Sequence, residues 1–268
     1  MTHEPKSSAP YAVDYTKMFD LTGQRAVVVG AGSGIGRESA IALAAGGAEV
    51  ICADRNLIAA KDTASRGPGM SAYELDATSS VDVEGAVAEI GAVDTLVVTA
   101  ATNVRKRILD YSSEEFERVI ALNLRAQFDL FRGFGRGMAE RGKGSIIGFS
   151  SMRATLVEPG QSVYATTKGG LVQLLRTIAA ELGPQGVRAN AIAPGAVDTA
   201  LTVPIRSNKE WDEAYATKGA LDRWAHPSEL AGAVVFLASP AASFITGSQL
   251  CVDGGWTAVD GRYTPPMG

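Results

Sequence analysis

Cysteine and histidine are scarce in this chain of 268 residues, with two of each. The two cysteines, Cys52 and Cys251, cannot build a disulfide framework, so a reducing, cytoplasmic setting is expected. Cys52 lies in an apolar run and reads as a small buried hydrophobe. No metal site is expected. A positive field is missing as well: 25 Lys and Arg against 29 Asp and Glu leave a net charge of -4, and the pI is near 5.3. That balance excludes a phosphate-backbone partner, because such binding needs clustered cations. No stretch reaches the ~18 consecutive apolar residues of a membrane span. Residues 1–20 mix His3, Glu4, Lys6, Asp14 and Lys17 with Pro and Ser. They read as a polar leader and not as a signal peptide. Repeats and Pro/Gly-rich linkers are also lacking, which argues against a second domain.

What is present is a 46% hydrophobic, 20% charged composition, enough for one large core. Residues 25–36 read RAVVVGAGSGIG, a β-branched run entering a glycine-rich turn, and 37–45 carry helix formers. Gly46 and Gly47 stop that helix, and 49–53 (EVICA) form a second short strand ending at Asp54. The alternation continues with a strand at 95–98, a long helical pattern at 114–134, a strand at 145–149 and a helix at 164–182. A strand at 188–193, a helix at 228–238 and a last strand at 249–252 follow. Alternating strands and helices predict a Rossmann-type α/β fold: one domain over 21–258, a doubly wound parallel sheet with helices on both faces. Residues 198–227 are too irregular and long for an ordinary connection and are expected to be a substrate lid. Residues 259–268 are a C-terminal tail.

The turn Gly30-Ala31-Gly32-Ser33-Gly34-Ile35-Gly36 sits between strand and helix. Glycine there lets the backbone approach a pyrophosphate, and the helix start offers free N–H groups to its charge. A glycine-rich loop without a ligand is the plain alternative. Asp54, about 20 residues on, favours the nucleotide, since a carboxylate at that strand end can bind both ribose hydroxyls and would repel a 2′-phosphate. NAD is therefore expected over NADP, although Arg55 beside it offers a phosphate a cation. Asp76, after the next strand, is a candidate adenine contact or an ordinary loop Asp.

Tyr164 and Lys168, four apart on a helix, share a face. A nearby ammonium is expected to lower the Tyr pKa and make the pair a tuned acid/base. Alone the pair is a common surface contact. Ser151 changes that, because it stands at the end of the 145–149 strand, on the carboxyl edge where such sheets bind ligands.

Over roughly residues 20–258 the chain resembles the short-chain dehydrogenase/reductases. The resemblance is carried by the Gly30 to Gly36 turn, Asn123 in Ala121-Leu122-Asn123-Leu124, Ser151, Tyr164-Ala165-Thr166-Thr167-Lys168, Asn190-Ala191-Ile192-Ala193-Pro194-Gly195 and Val252-Asp253-Gly254-Gly255. It implies an NAD(P)-dependent oxidoreductase that interconverts a secondary alcohol and a ketone. Ser151 would bind the substrate oxygen and Tyr164 would transfer the proton. Lys168 would hold the nicotinamide ribose, and Asn123 would support a proton path through an ordered water. Thr99, Pro194, Gly195, Val197 and Thr199 would complete the cofactor site with Gly30, Ser33, Gly34, Ile35, Gly36, Asp54 and Asp76. It also implies a homotetramer in which the 114–134 and 164–182 helices pair with neighbours.

The chain departs from the family at Val29, where Thr is common, and at Val98-Thr99-Ala100-Ala101, where Asn-Asn-Ala-Gly is common. Ala101 is expected to crowd the cofactor. Arg105, within Thr102-Asn103-Val104-Arg105-Lys106-Arg107, is matched by Arg-bearing stretches in sugar-acid dehydrogenases resembling gluconate 5-dehydrogenase. With Arg153 it is a candidate anion contact for a polar sugar or hydroxy acid. The plain alternative is a solvated basic loop. Two other readings stand beside this one: a 3-oxoacyl-thioester reductase, whose usual NADPH conflicts with Asp54, and a non-catalytic nucleotide sensor.

Overall fold

The computed structural model describes residues 14–259. Strands and helices alternate as β1 (Arg25–Val29), α1 (Gly34–Ala45), β2 (Glu49–Asp54), α2 (Leu57–Ala64), β3 (Met70–Glu74), α3 (Ser80–Ile90) and β4 (Thr95–Val98). Then come α4 (Ser113–Ile120), α5 (Ala126–Arg141), β5 (Gly144–Phe149), α6 (Ser162–Leu182) and β6 (Val187–Pro194). The chain ends with α7 (Val203–Arg206), α8 (Lys209–Ala216), α9 (Ala231–Ala238) and β7 (Gln249–Val252). The leader contributes only the 3-10 turn Tyr15–Lys17 among the described residues; residues 1–13 and most of the 259–268 tail lie outside them.

Seven strands form one parallel sheet in the order β3-β2-β1-β4-β5-β6-β7. The order reverses direction between β1 and β4, and there the carboxyl ends of two neighbouring strands diverge into a crevice. Period-2 side-chain alternation explains the two cores. In β1, Val27 and Val29 face a layer built on α3, α5 and α6, while Ala26 and Val28 face α1 and α9. Both faces are covered, so these strands read as continuous apolar runs.

Two predicted elements differ. The single helix expected at 114–134 is α4, a π-helical turn at Ala121–Arg125, and α5. A capping box of Ser112 and Glu115 starts it and Gly142, at φ 72°, ends it. The wider π turn leaves no trace in apolar periodicity. The 198–227 segment expected to be irregular holds a 3-10 turn at Ala200–Thr202 and the helices α7 and α8. Asn208 caps α8 by accepting from Trp211 N at 3.0 Å, and α8 buries Tyr215. These helices pack on Met152, Ala196 and Trp256, away from the two sheet layers. Among the described residues no helix is long and apolar enough to cross a membrane.

Candidate active site

The crevice beyond β1 and β4 is a cleft of about 720 Å³ lined by Gly30, Ser33, Gly34, Ile35, Gly36, Asp54, Asp76, Thr99 and Thr199, among others. Its floor is the glycine turn. A Cβ on Gly36 would stand 2.0 Å from Gly30 O, and one on Gly30, at φ +88°, would stand 2.6 Å from Thr99 Oγ1. No side chain can be added at either place without moving backbone. Ser33 precedes α1 in extended conformation and makes no side-chain cap bond, so the N–H groups of the first turn are left for a ligand.

Asp54 ends β2 with both carboxylate oxygens anchored, Oδ2 accepting from Gly32 N and Oδ1 from Asn56 N, each at 2.9 Å. Their remaining lone pairs are those a vicinal diol would use. Asp76 is exposed, and its carboxyl is held below the usual range by the Thr78 hydroxyl and N–H that donate to it. Thr199 closes the opposite side, its Cγ2 3.5 Å from where a Gly34 Cβ would lie.

The altered Val98-Thr99-Ala100-Ala101 stretch keeps the crevice open. Thr99 Oγ1 donates to Val29 O at 3.0 Å and fastens the end of β4 to that of β1, while Ala100 and Ala101 line the cleft. Gly195 is wedged against Asp253, 2.7 Å from its Cα to a Cβ built on the glycine, and Pro194 ends β6. Val197 turns its side chain into the α1/α9 core, and its carbonyl accepts from Thr202 Oγ1 at 2.8 Å. A dinucleotide fits these features: a side-chain-free cradle at a helix start, and a fixed carboxylate at the adjacent strand end.

Ser151, Tyr164 and Lys168 collect where β5 leads into α6. Ser151, 8% exposed, hydrogen-bonds Tyr164 and accepts from Arg153 N at 3.1 Å. Lys168 Nζ lies 5.5 Å from the Tyr164 ring centroid and donates to Phe149 O at 2.6 Å. The expectation that Lys168 lowers the Tyr164 pKa is corrected. Burial raises the Tyr164 phenol, and the groups that oppose it are Ser151, Arg153 and Arg105. Burial also pushes Lys168 down to about 7, because a charged amine in dry surroundings loses its hydration, so at neutral pH it holds only part of a charge.

Asn123 is fully buried, and the π turn directs its amide to the loop after β4: Oδ1 accepts from Thr102 N and Nδ2 donates to Thr102 O, both at 2.8 Å. Its side chain is thereby committed to Thr102, with a weaker bond to Thr167 Oγ1 at 3.3 Å. Only the backbone carbonyl side of the residue remains for other work, and Gln127 Nε2 donates there at 3.1 Å.

Arg105 and Arg153 do converge, and not as free cations. Arg105 Nη1 lies 2.9 Å from Glu158 Oε1, and Arg153 Nη2 lies 2.7 Å from Glu158 Oε2. Tyr215 reaches the same carboxylate from α8, with its ring stacked on Trp224 (5.6 Å) and edge-on to Trp256 (5.2 Å). Glu158 and Tyr215 escaped the sequence because Arg105 lies 53 positions from the one and 110 from the other, and they lie 57 apart. The one local sign was an isolated acid in Glu158-Pro159-Gly160 between Ser151 and Tyr164.

A parallel sheet in this order, a glycine cradle, and Ser, Tyr and Lys at the carboxyl edge define a nucleotide-dependent oxidoreductase. Residues 30–257 match the family described as Enoyl-(Acyl carrier protein) reductase, and the chain belongs to the short-chain dehydrogenase/reductases, NAD(P)-dependent enzymes that interconvert alcohols and ketones. It is 40% identical to galactitol 2-dehydrogenase (L-tagatose-forming) of Cereibacter sphaeroides, covering 91% of this chain and 99% of that one. Gluconate 5-dehydrogenase of Gluconobacter oxydans is 32% identical with the same two coverages. Among solved structures, a gluconate 5-dehydrogenase from Burkholderia cenocepacia in complex with NADP and tartrate superposes with a TM-score of 0.88 at 32% identity, over 91% of this chain and 98% of that one.

Proposed function

We propose that the protein oxidises a secondary alcohol of a sugar-derived substrate, or reduces the matching ketone, with NAD as its preferred cofactor. One observation carries this reading: Tyr164 is hydrogen-bonded to Ser151 and has Lys168 over its ring, at the carboxyl edge of the same sheet whose β1–α1 turn and Asp54 form the cradle. The bound nicotinamide would supply or accept the hydride. Ser151 holds the substrate oxygen and Tyr164 gives it a proton or takes one from it. Burial keeps the phenol protonated at neutral pH, the form needed to reduce a ketone. Lys168 orients Tyr164 and offers its amine to the ribose, while Asn123 positions the Thr102 loop and, through its carbonyl side, a water. Gly30, Gly34 and Gly36 cradle the pyrophosphate with Ser33 and Ile35; Asp54 reads the ribose and Asp76 borders the adenine. Thr99, Pro194, Gly195, Val197 and Thr199 frame the nicotinamide end. A 2′-phosphate would meet the Asp54 carboxylate, which supports NAD although the Burkholderia relative holds NADP.

The segment 198–227 acts as the substrate lid. The assembly is a homotetramer: α5 and α6 leave between them a groove of about 670 Å³ lined by Phe128, Phe131, Leu174 and Ile178, and Phe128 is 44% exposed. Two free thiols, Cys52 and Cys251, fit the cytoplasm. The test is a panel of polyols, sugar acids and ketoses with NAD and NADP on wild type and Tyr164→Phe. Wild type is expected to turn over a member of the panel, and the variant to lose about 10²–10⁴-fold in kcat while binding nucleotide as before. Near-normal turnover by the variant removes Tyr164 from the proton transfer. Nucleotide binding without any turnover by wild type favours the sensor.

A further inference from the structure

Glu158 is bonded on every side. Besides the two arginines, the Tyr215 hydroxyl and the Gln161 amide both donate to Oε2, and Gln161 Oε1 accepts from Asn103 Nδ2 at 3.0 Å. The cluster therefore joins the rim loop after β4, the N-terminus of α6 and the lid helix α8. It is largely dry: the side chains of Arg153 and Glu158 are 8% and 17% exposed. Arg105 is further pinned by Trp211, whose ring centroid lies 4.8 Å from its guanidinium carbon. The nearby lid cation Arg206 is already paired with Asp198 and Asp212.

Resting on the reading above, we propose that Glu158 is the specificity-determining residue of the substrate site, filling the seat between Arg105 and Arg153 so that the site takes an uncharged polyhydroxy substrate, a polyol or ketose, over a sugar acid. Two facing arginines are the usual recognition unit for a carboxylate. Here that unit is occupied by a carboxylate of the chain itself. Burial pushes Glu158 up, but the Tyr215 bond and the charges of Arg153 and Arg105 outweigh it, and the group is ionised at neutral pH. An incoming carboxylate would lie beside this charge in surroundings that screen poorly. A hydroxyl chain brings no charge and can use the guanidinium N–H groups that Glu158 leaves free. Two cations and one anion still sum to +1, and that excess acts on Tyr164, which both arginines make more acidic.

The experiment compares wild type with Glu158→Gln, which keeps the shape, removes the charge and replaces one of the two acceptor oxygens with a donor amide. It measures kcat/KM for galactitol and D-gluconate, together with tartrate binding by calorimetry. Wild type is expected to prefer galactitol, and the variant to shift the ratio about tenfold towards gluconate and to bind tartrate about tenfold more tightly. Tyr215→Phe, which removes the hydroxyl's bonds to Glu158, Arg153 and Arg105 but no charge, is expected to raise KM for both substrates and leave their ratio alone. A wild type that prefers gluconate overturns the proposal, as does unchanged tartrate binding in Glu158→Gln or a ratio shift in Tyr215→Phe equal to that of Glu158→Gln. Wild type that turns over neither sugar counts against the assigned reaction, while tartrate binding still decides the role of Glu158.

Discussion

Asp54 meets the cleft with its carboxylate already fixed by the N–H groups of Gly32 and Asn56. A side chain held by backbone reads a ligand without losing rotamer freedom, and in the proposed reading it would take a ribose diol and repel a 2′-phosphate. Asp54→Ala is expected to lower kcat/KM with NAD at least about tenfold while raising that with NADP, because the repulsion goes with the carboxylate. The check is the ratio of the two cofactors at saturating substrate; an unchanged ratio would mean that another group reads the ribose. Arg55, which also lines the cleft, becomes the natural partner of a 2′-phosphate once Asp54 is gone.

At the scale of the element, the π turn at Ala121–Arg125 matters most. It interrupts what would be one helix and points Asn123 at Thr102, so that the helical segment fixes the loop that leaves β4. Asn123→Ala strips the part-buried Thr102 N–H and C=O of their partners, at an expected cost of about 1–3 kcal/mol in unfolding free energy. Denaturant unfolding measures the loss, and a change below about 0.5 kcal/mol would show that water replaces the amide. The expected drop in kcat follows from a displaced Thr102 loop, and Asn123→Asp, which retains one of the two bonds, should recover part of both.

For the molecule as a whole, the buried Lys168 makes stability depend on pH. Its pKa falls from 10.5 unfolded to about 7 folded, so between these values the unfolded chain binds the extra proton. Stability must then rise as pH rises through this window, and it is lost as pH falls towards 7. The whole window is worth on the order of 5 kcal/mol. Thermal unfolding followed from pH 7 to 9 should show Tm climbing in wild type and staying nearly flat in Lys168→Met, which packs without a charge. Equal slopes in the two proteins would place the titrating group elsewhere.

The chain alone determined the alternating α/β plan, the glycine cradle, Asp54, and Ser151 with Tyr164 and Lys168, because each rests on contacts a few residues long or on the edge to which a strand must run. Strand limits agree to within a residue at β4, β5 and β7, where apolar runs are bounded by turn residues. Tertiary structure decided the rest. Lys168 lies on the same helix face as Tyr164, yet its charge depends on how dry the surrounding packing is, which spacing does not record. Arg105 and Arg153 look like open anion contacts along the chain, and only folding brings Arg105, Glu158 and Tyr215 of α8 together around Arg153. The split follows from range: local geometry is written in neighbouring residues, while the electrostatics of a site sum over groups that meet only when the chain closes.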